Sequence, residues 1–219
     1  MEGLQKIFIW LPQLLNGTKT TIIITVLSVA IGLVLSLFLA LGKMSKNPLL
    51  NKPCSAYIFF FRGTPLLMQI YFIYFGLPQF NPALTIKSAF AAAMIAYTLN
   101  TAAYLAENIR AGIQSIDKGQ YEAAKALGMT YRQTMQLIII PQTVRRLIPP
   151  VGNEFIMVLK DVSLVAIIGL SDLTKVTRAI SSSQATALVY IPAMIIYLII
   201  TAFFTFIFNR MEKKYSVYE

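Results

Sequence analysis

The sequence predicts an all-α integral membrane protein with five transmembrane helices, its amino terminus outside and its carboxyl terminus inside. Of the 219 residues, 57% are hydrophobic and 13% are charged, and the mean hydropathy is +0.66. Soluble domains average about 25% charged residues, so this composition is typical of a chain that crosses a bilayer. Five apolar stretches, each close to the length of about 20 residues that a spanning helix needs, are separated by polar segments. We expect residues 1–219 to form one transmembrane domain.

The elements are justified in chain order by apolar length and by the residues that interrupt it. Residues 1–17 are expected to form an interfacial helix, because apolar side chains recur there at helical spacing and Trp10 suits the headgroup region. No cleavable signal peptide is expected, because no small-residue cleavage pattern follows a basic region. The five expected spans are Thr20–Leu41, Tyr57–Phe75, Ile86–Leu105, Val151–Leu170 and Val189–Phe208. Helix-breaking or charged residues bound them: Gly42 and Lys43 after the first, Gly76 and Pro78 after the second, Glu107 and Arg110 after the third, and Asn209 and Arg210 after the fifth.

The basic residues predict the orientation, because cytoplasmic loops carry an excess of lysine and arginine. With the amino terminus outside, twelve of them fall inside: Lys43, Lys46, Lys52, Arg110, Lys118, Lys125, Arg132, Arg145, Arg146, Arg210, Lys213 and Lys214. Five fall outside: Lys6, Lys19, Lys87, Lys175 and Arg178. The polar loop 107–148 is then cytoplasmic.

That loop carries local signals for two short helices. Asp117 can cap a first helix, which Gly128 can end. The spacing of Thr130–Gln133 is that of a capping box, and the second helix that it starts is expected to stop at Pro141.

The first of these helices shows Ala123, Ala124 and Leu127 on one face, which is small, apolar and expected to be exposed. Such a face suits the groove of a partner protein. A short connector tucked under the bundle is an equally good interpretation of the pattern alone.

A longer motif runs through the same loop: Glu122-Ala123-Ala124, then Gly128, Ile138 and Ile140-Pro141. It resembles the cytoplasmic EAA loop of bacterial ABC importer permeases, with Ile140 in place of the usual leucine. In that family the loop forms a coupling helix, which docks on a separate ATP-hydrolysing subunit. The resemblance therefore assigns contact with the ATPase to Tyr121, Glu122, Ala123, Ala124, Leu127 and Gly128.

Three further stretches resemble the polar amino-acid branch of this family, so the resemblance covers nearly the whole chain. They are Arg62-Gly63-Thr64-Pro65-Leu66-Leu67-x-Gln69, Ala103-Tyr104-x-Ala106-Glu107-x-x-Arg110-x-Gly112-Ile113 and Leu159-Lys160-Asp161-x-Ser163-Leu164. The resemblance implies the ABC importer permease fold, located in the bacterial plasma (inner) membrane. The implied partners are two ATPase subunits, an extracytoplasmic amino-acid-binding protein, and a second permease copy in a homodimer or a related permease in a heterodimer. ATP and magnesium would be bound by the ATPase, and this chain is expected to bind no cofactor.

The fourth span, VGNEFIMVLKDVSLVAIIGL, is unusually polar and contains Glu154, Lys160 and Asp161. Each charge at the centre of a bilayer costs about 2.5–3.5 kcal/mol on insertion scales. We therefore expect this helix to line a water-filled cavity or to face protein. Intramembrane acids are functional by default, so Glu154 and Asp161 are the first candidates for substrate binding.

The two acids are seven residues apart, so they share one helix face at about 10 Å along the axis. That pair could hold two cationic groups, such as the α-ammonium and side chain of arginine or lysine. The sequence therefore favours a cationic amino acid (arginine, lysine or histidine), with glutamine- or glutamate-type substrates as the alternative. A structural interpretation also stands, in which Lys160 or Arg62 neutralises one acid across the bundle.

Three more polar residues are candidates for the same site. Asn100, with Tyr97 on the same side of the third span, can bond a substrate carboxylate or an unwound backbone, and contact between helices is an equally good explanation. Gln69 is a weaker candidate. Glu107 and Arg110, three residues apart, are expected to form a structural ion pair.

Several functional classes are excluded or disfavoured. The chain has no histidine, which excludes a His-based metal site and a Ser-His-Asp triad, and Cys54 alone cannot form an internal disulfide. No G-x-x-x-x-G-K-[ST] motif occurs, so ATP hydrolysis is expected on another chain. The net charge of +10 is explained by cytoplasmic loops rather than by nucleic-acid binding. The sequence lacks the internal repeat often found in ion-coupled secondary transporters and the nucleophile–base set that a membrane enzyme would need. A passive scaffold would not need charges in the fourth span.

Overall fold

The computed structural model describes residues 2–215, with side chains from Ile7 onward, and regular structure in this part of the chain is helical. The α-helices are α1 Glu2–Met44, α2 Pro48–Gly63, α3 Leu66–Tyr71, α4 Leu77–Phe80, α5 Ala89–Gln114, α6 Lys118–Ala126, α7 Tyr131–Thr134, α8 Ile140–Asp161, α9 Leu173–Ser183 and α10 Tyr190–Tyr215. Two π-helical turns, Phe72–Gly76 and Met135–Ile139, and two 3₁₀ segments, Pro82–Leu84 and Val162–Ile168, lie between them.

Helix α5 lies at the centre of the bundle, because its small side chains let neighbouring helices approach closely. Six alanines on it are fully buried: Ala92, Ala93, Ala96, Ala102, Ala103 and Ala106. Helix α1 crosses at Gly32, where an added Cβ would lie 3.3 Å from Thr101 Cγ2. Helix α8 packs into the same core through Phe155 and Val158. The polar stripe of α5 is therefore held next to the polar face of α8.

Helix α1 joins the predicted interfacial segment and the first predicted span without a break. Trp10 and Leu14 are buried against α9 and α10, and Trp10 Nε1 donates a hydrogen bond of 3.0 Å to Gln184 Oε1. The amino-terminal segment is thus attached to the carboxyl-terminal helices. That residues 1–17 lie in the membrane interface stays a prediction, and their first six side chains lie outside the described residues.

The second predicted span, Tyr57–Phe75, is not a single helix. Helix α2 ends at Gly63, α3 begins at Leu66, and the chain bends by 104° between them. The cause is Pro65, which has no N–H for a helical hydrogen bond and holds the preceding residue, Thr64, in an extended conformation at ψ 144°.

The capping predictions for the cytoplasmic loop are confirmed. Asp117 caps α6 by accepting the Gly119 N–H, and Thr130 and Gln133 form the reciprocal capping box that begins α7. Gly128 ends the first helix at φ +75°, a conformation that favours glycine.

The predicted stop at Pro141 is wrong, because the helix continues to Asp161. The π-helical turn Met135–Ile139 immediately precedes the proline, and the Ile140 N–H bonds the Met135 carbonyl five residues back. This wider turn shifts the hydrogen-bond pairing just where Pro141 has no N–H to contribute. A continuous helical segment therefore runs from the predicted cytoplasmic loop into the fourth predicted span.

Three helices in the described part of the chain are long and apolar enough to cross a membrane: Ile7–Met44, Ala89–Gln114 and Tyr190–Tyr215. The bent pair Pro48–Gly63 and Leu66–Phe80 would make a fourth. The fourth predicted span, Val151–Leu170, is divided between α8 and a 3₁₀ segment, and α8 does not meet the same test of apolarity. The count of five spans and the orientation of the termini therefore stay predictions. Helix α9 was not expected from the sequence.

Candidate functional site

A cavity of about 340 Å³ lies where the break between α2 and α3 meets α5 and α8. Its size is within the usual range for small-molecule sites. Its lining residues come from all of these elements: Arg62, Gly63, Thr64, Pro65, Leu66, Asn100, Tyr104, Glu154, Met157, Val158 and Asp161. The structure thus brings together three of the five predicted substrate-binding residues, Glu154, Asp161 and Asn100.

The two acids face this cavity from α8, two helical turns apart. Glu154 is 7% exposed and Asp161 is exposed. Within the described part of the chain, neither carboxylate forms an ion pair. Arg62 attracts the charge of Glu154 and Lys160 that of Asp161, but both interactions act over a longer range than an ion pair.

Arg62 supplies a positive charge to the same cavity, but its guanidinium packs on an aromatic ring. The guanidinium carbon lies 5.3 Å from the centroid of the Tyr104 ring, a distance typical of a cation–π contact. Lys160 is exposed and does not line the cavity. Among the lining residues, two acids and one arginine leave an excess of negative charge.

Gln69 and Asn100 support the broken backbone beside the cavity. The Phe61 carbonyl would bond the N–H of residue 65 in a continuous helix, but that residue is Pro65. Gln69 Nε2 and Asn100 Nδ2 donate to this carbonyl instead, each at 3.0 Å, and Asn100 Nδ2 also donates to Gln69 Oε1 at 2.9 Å. Gln69 Nε2 donates a further bond of 3.0 Å to the Thr64 carbonyl. Asn100 therefore makes the contact to unwound backbone that was one of its expected roles, and Gln69 lies behind the cavity wall.

Tyr97 is also placed behind the wall. It is fully buried, and its hydroxyl donates to the backbone carbonyl of Asp161. Tyr97 is not among the lining residues, and its hydroxyl positions the end of α8, so its contact with substrate stays a prediction. Tyr104, seven residues from Tyr97 and four from Asn100, was expected on the same side of the helix but not as a substrate-binding residue, and it lines the cavity.

The predicted coupling segment, residues 121–128, presents a mixed surface. Glu122, Ala123 and Gly128 are exposed, and Leu127 is 80% exposed. Tyr121 is half-buried. Ala124, expected to be exposed, is 1% exposed, because one face of so short a helix must rest on the rest of the protein.

Hydrogen bonds link the coupling segment to α8, the helix that carries the two acids. Gln142 Nε2, on α8, donates a bond of 3.2 Å to Gln120 Oε1 on α6. Arg146 Nη1, also on α8, donates to the carbonyl and the hydroxyl of Ser115, just before α6. The surface around Leu127 and the cavity are therefore connected through one helix.

The predicted ion pair at the end of α5 is confirmed and extended. Arg110 pairs with Glu107, and Lys43 Nζ lies 2.9 Å from Glu107 Oε2. This three-residue network ties the end of α1 to α5 and lies three residues beyond Tyr104.

Comparisons with known proteins agree with this architecture. Residues 7–217 match the family of binding-protein-dependent transport system inner membrane components. The probable amino-acid ABC transporter permease protein YckA of Bacillus subtilis is 38% identical, with 94% of this chain and 91% of that protein covered. The glutamine transport system permease protein GlnP of Escherichia coli is 37% identical, with 95% and 96% covered, and the octopine transport system permease protein OccM of Rhizobium radiobacter is 41% identical, with 94% and 87% covered.

Solved structures show the same fold. A crystal structure of an amino acid ABC transporter with histidines matches with a TM-score of 0.90 at 40% identity, covering 96% of this chain and 97% of that one. An inward-facing MetNI methionine ABC transporter matches with a TM-score of 0.77 at 19% identity, which indicates the fold alone. The sequence motifs, the all-helical fold and these relatives lead to one conclusion. The chain belongs to the binding-protein-dependent transport system inner membrane components, as an inner-membrane permease subunit of a bacterial ABC importer for polar amino acids.

Proposed function

We propose that this permease moves cationic amino acids, of the type of arginine, lysine and histidine, through the cavity between α2, α5 and α8. The observation that carries the proposal is the pair of carboxylates, Glu154 and Asp161, which face the cavity without a protein cation paired to either in the described residues. An acid inside a membrane protein is costly unless it is paired or hydrated. A cationic substrate would supply the missing partner.

The spacing of the acids suits such a substrate. Seven residues of helix separate Glu154 and Asp161 by about 10 Å along the axis. An arginine or lysine carries an α-ammonium and a distant side-chain cation, so each acid would bind one group. The solved transporter of similar fold, described with histidines, lends support to a cationic substrate.

Transport would require subunits beyond this chain. The exposed surface of α6 around Glu122, Ala123 and Leu127 would dock on an ATPase subunit, which binds ATP and magnesium. An extracytoplasmic binding protein would deliver the amino acid. Because an ATPase dimer offers two docking clefts and one chain supplies one coupling segment, we propose a homodimer of this permease, with a heterodimer of related permeases as the alternative. Alternating access would follow from closure of the ATPases.

A second candidate is a permease for glutamine- or glutamate-type amino acids. The names of the relatives favour it, because they include glutamine and cystine permeases at a similar level of identity. In that case one acid would bind only the α-ammonium, and the neutral groups of the cavity, such as Thr64 and Asn100, would bind the rest of the substrate.

The test is uptake of labelled arginine by vesicles that contain the permease, its ATPase and its binding protein. We expect lysine to compete and glutamine and glutamate to compete poorly. Glu154→Gln should lower arginine uptake by about tenfold or more at unchanged expression, the order expected for loss of one member of a desolvated charge pair. Glu212→Gln, the same change at an exposed position, is the control and should have no effect. Wild-type uptake by Glu154→Gln would contradict a binding role for this acid, and equal competition by glutamine would favour the second candidate.

A further inference from the structure

We propose that Tyr104 is a positioning residue for substrate selection: its ring keeps Arg62 from forming an ion pair with Glu154 or Asp161 and so leaves both acids available to a cationic substrate. The inference rests on the proposed function, since it concerns the same cavity. It assigns a task to the one aromatic ring in the cavity wall.

Arg62 has a choice of partners. It shares the cavity with both acids, yet its guanidinium lies over the Tyr104 ring. Arg62 and Tyr104 also line a second cavity, of about 320 Å³, on the side of Lys43 and Ser55. The guanidinium thus lies between two open spaces and is not confined by packing.

The backbone around Arg62 leaves room for this choice. The next residue, Gly63, ends α2, and an added Cβ there would meet no atom within 4 Å. A long arginine side chain at an uncrowded helix end can change direction at little cost. The Tyr104 ring is therefore the contact that fixes the direction of Arg62.

The competing contact would be an ion pair with one of the acids. A bidentate arginine–carboxylate pair is among the stronger charge-assisted interactions in proteins. If the ring were absent, the balance would move towards that pair, and Arg62 would occupy the position of a cationic substrate. One acid of the cavity would then be paired with a protein cation, and the cavity would lose its preference for cationic substrates.

Four variants test this mechanism in the vesicle uptake assay, with arginine and glutamine as paired substrates. Tyr104→Phe keeps the ring and should behave as wild type. Tyr104→Leu should lower arginine uptake by about tenfold or more relative to glutamine, because a protein cation would occupy the acids. The double variant Tyr104→Leu/Arg62→Met should regain the preference for arginine, and Arg62→Met alone should keep it. A merely structural loss caused by Tyr104→Leu would not be restored by removing Arg62.

The outcomes separate this inference from the proposed function. If Tyr104→Leu keeps the wild-type preference, or if the double variant is as impaired as Tyr104→Leu, the inference is wrong. If Arg62→Met alone abolishes uptake of both amino acids, Arg62 binds the substrate carboxylate instead, and the inference is again wrong. Glu154→Gln is measured beside these four variants. If it too leaves the preference for arginine intact, the proposed function itself is wrong. If Glu154→Gln reduces the preference for arginine and Tyr104→Leu does not, only the role of the Tyr104 ring is wrong.

Discussion

Replacing Asn100 by alanine should destabilise the permease by opening the support of the α2–α3 break. The substitution removes two hydrogen bonds, one to the Phe61 carbonyl and one to Gln69. The Phe61 carbonyl keeps its second bond from Gln69, so the loss is partial. The effect therefore depends on how much each amide contributes to holding the bend.

The expected size follows from the bonds lost. Polar contacts between membrane helices contribute about 0.6 kcal/mol on average and up to about 1.7 kcal/mol each. Two bonds then correspond to about 1–3 kcal/mol. For a chain of this length, about 2 kcal/mol lowers the unfolding temperature by about 4–8 °C.

The assay is thermal unfolding of the purified permease, followed by reaction of its single cysteine, Cys54, with a thiol dye. Asn153→Ala, which removes an exposed amide, is the matched control and should be neutral. In a double-mutant cycle, Gln69→Ala and Asn100→Ala should show a coupling of about 0.5–1.7 kcal/mol, because they share one bond. An unchanged unfolding temperature together with impaired uptake would refute the reasoning, and would place Asn100 on the substrate rather than on the backbone.

Two further predictions concern the predicted coupling segment and the buried contact of the amino-terminal segment. Leu127→Asp puts a charge on the most exposed apolar residue of the coupling segment. It should prevent co-purification of the ATPase and leave the unfolding temperature unchanged. Leu188→Asp, at another exposed leucine, is the control, and retention of the ATPase by Leu127→Asp would argue against docking there. Trp10→Phe keeps an aromatic ring in the contact with α9 and α10 but removes the hydrogen bond to Gln184. It should therefore lower the free energy of unfolding by about 1 kcal/mol. A further loss of free energy on adding Gln184→Leu would show that the two residues act separately.

Local capping chemistry made the coupling loop predictable. Asp117, Gly128 and the Thr130–Gln133 pair each satisfy backbone groups within a few residues, so the sequence alone identifies them. The stop assigned to Pro141 failed, because the π-turn before it shifts the hydrogen-bond pairing where Pro141 has no N–H, and the helix continues. The π-turn before it depends on packing that no short motif records.

The site was predictable in its charges and less so in its geometry. The cost of charge in a membrane marked Glu154 and Asp161, and both line the cavity. Pro65 was visible in the sequence, but the 104° bend needs amides from a distant helix to hold the freed carbonyl. For the same reason, Tyr97 and Gln69 could be assigned to the surroundings of the cavity, but the sequence could not show that they lie behind its wall.

The π-turn at Met135–Ile139 also sets the rotation about the α8 axis of the segment that carries Leu127 relative to Glu154. Each residue of an α-helix advances the side-chain direction by about 100°. Deleting the extra residue of the turn would leave a continuous helix, yet it would rotate the segment that carries Leu127 by about that angle around the axis of α8. The orientation of the predicted ATPase-docking surface relative to Glu154 thus depends on the number of residues in the turn, which a substitution within the turn leaves unchanged.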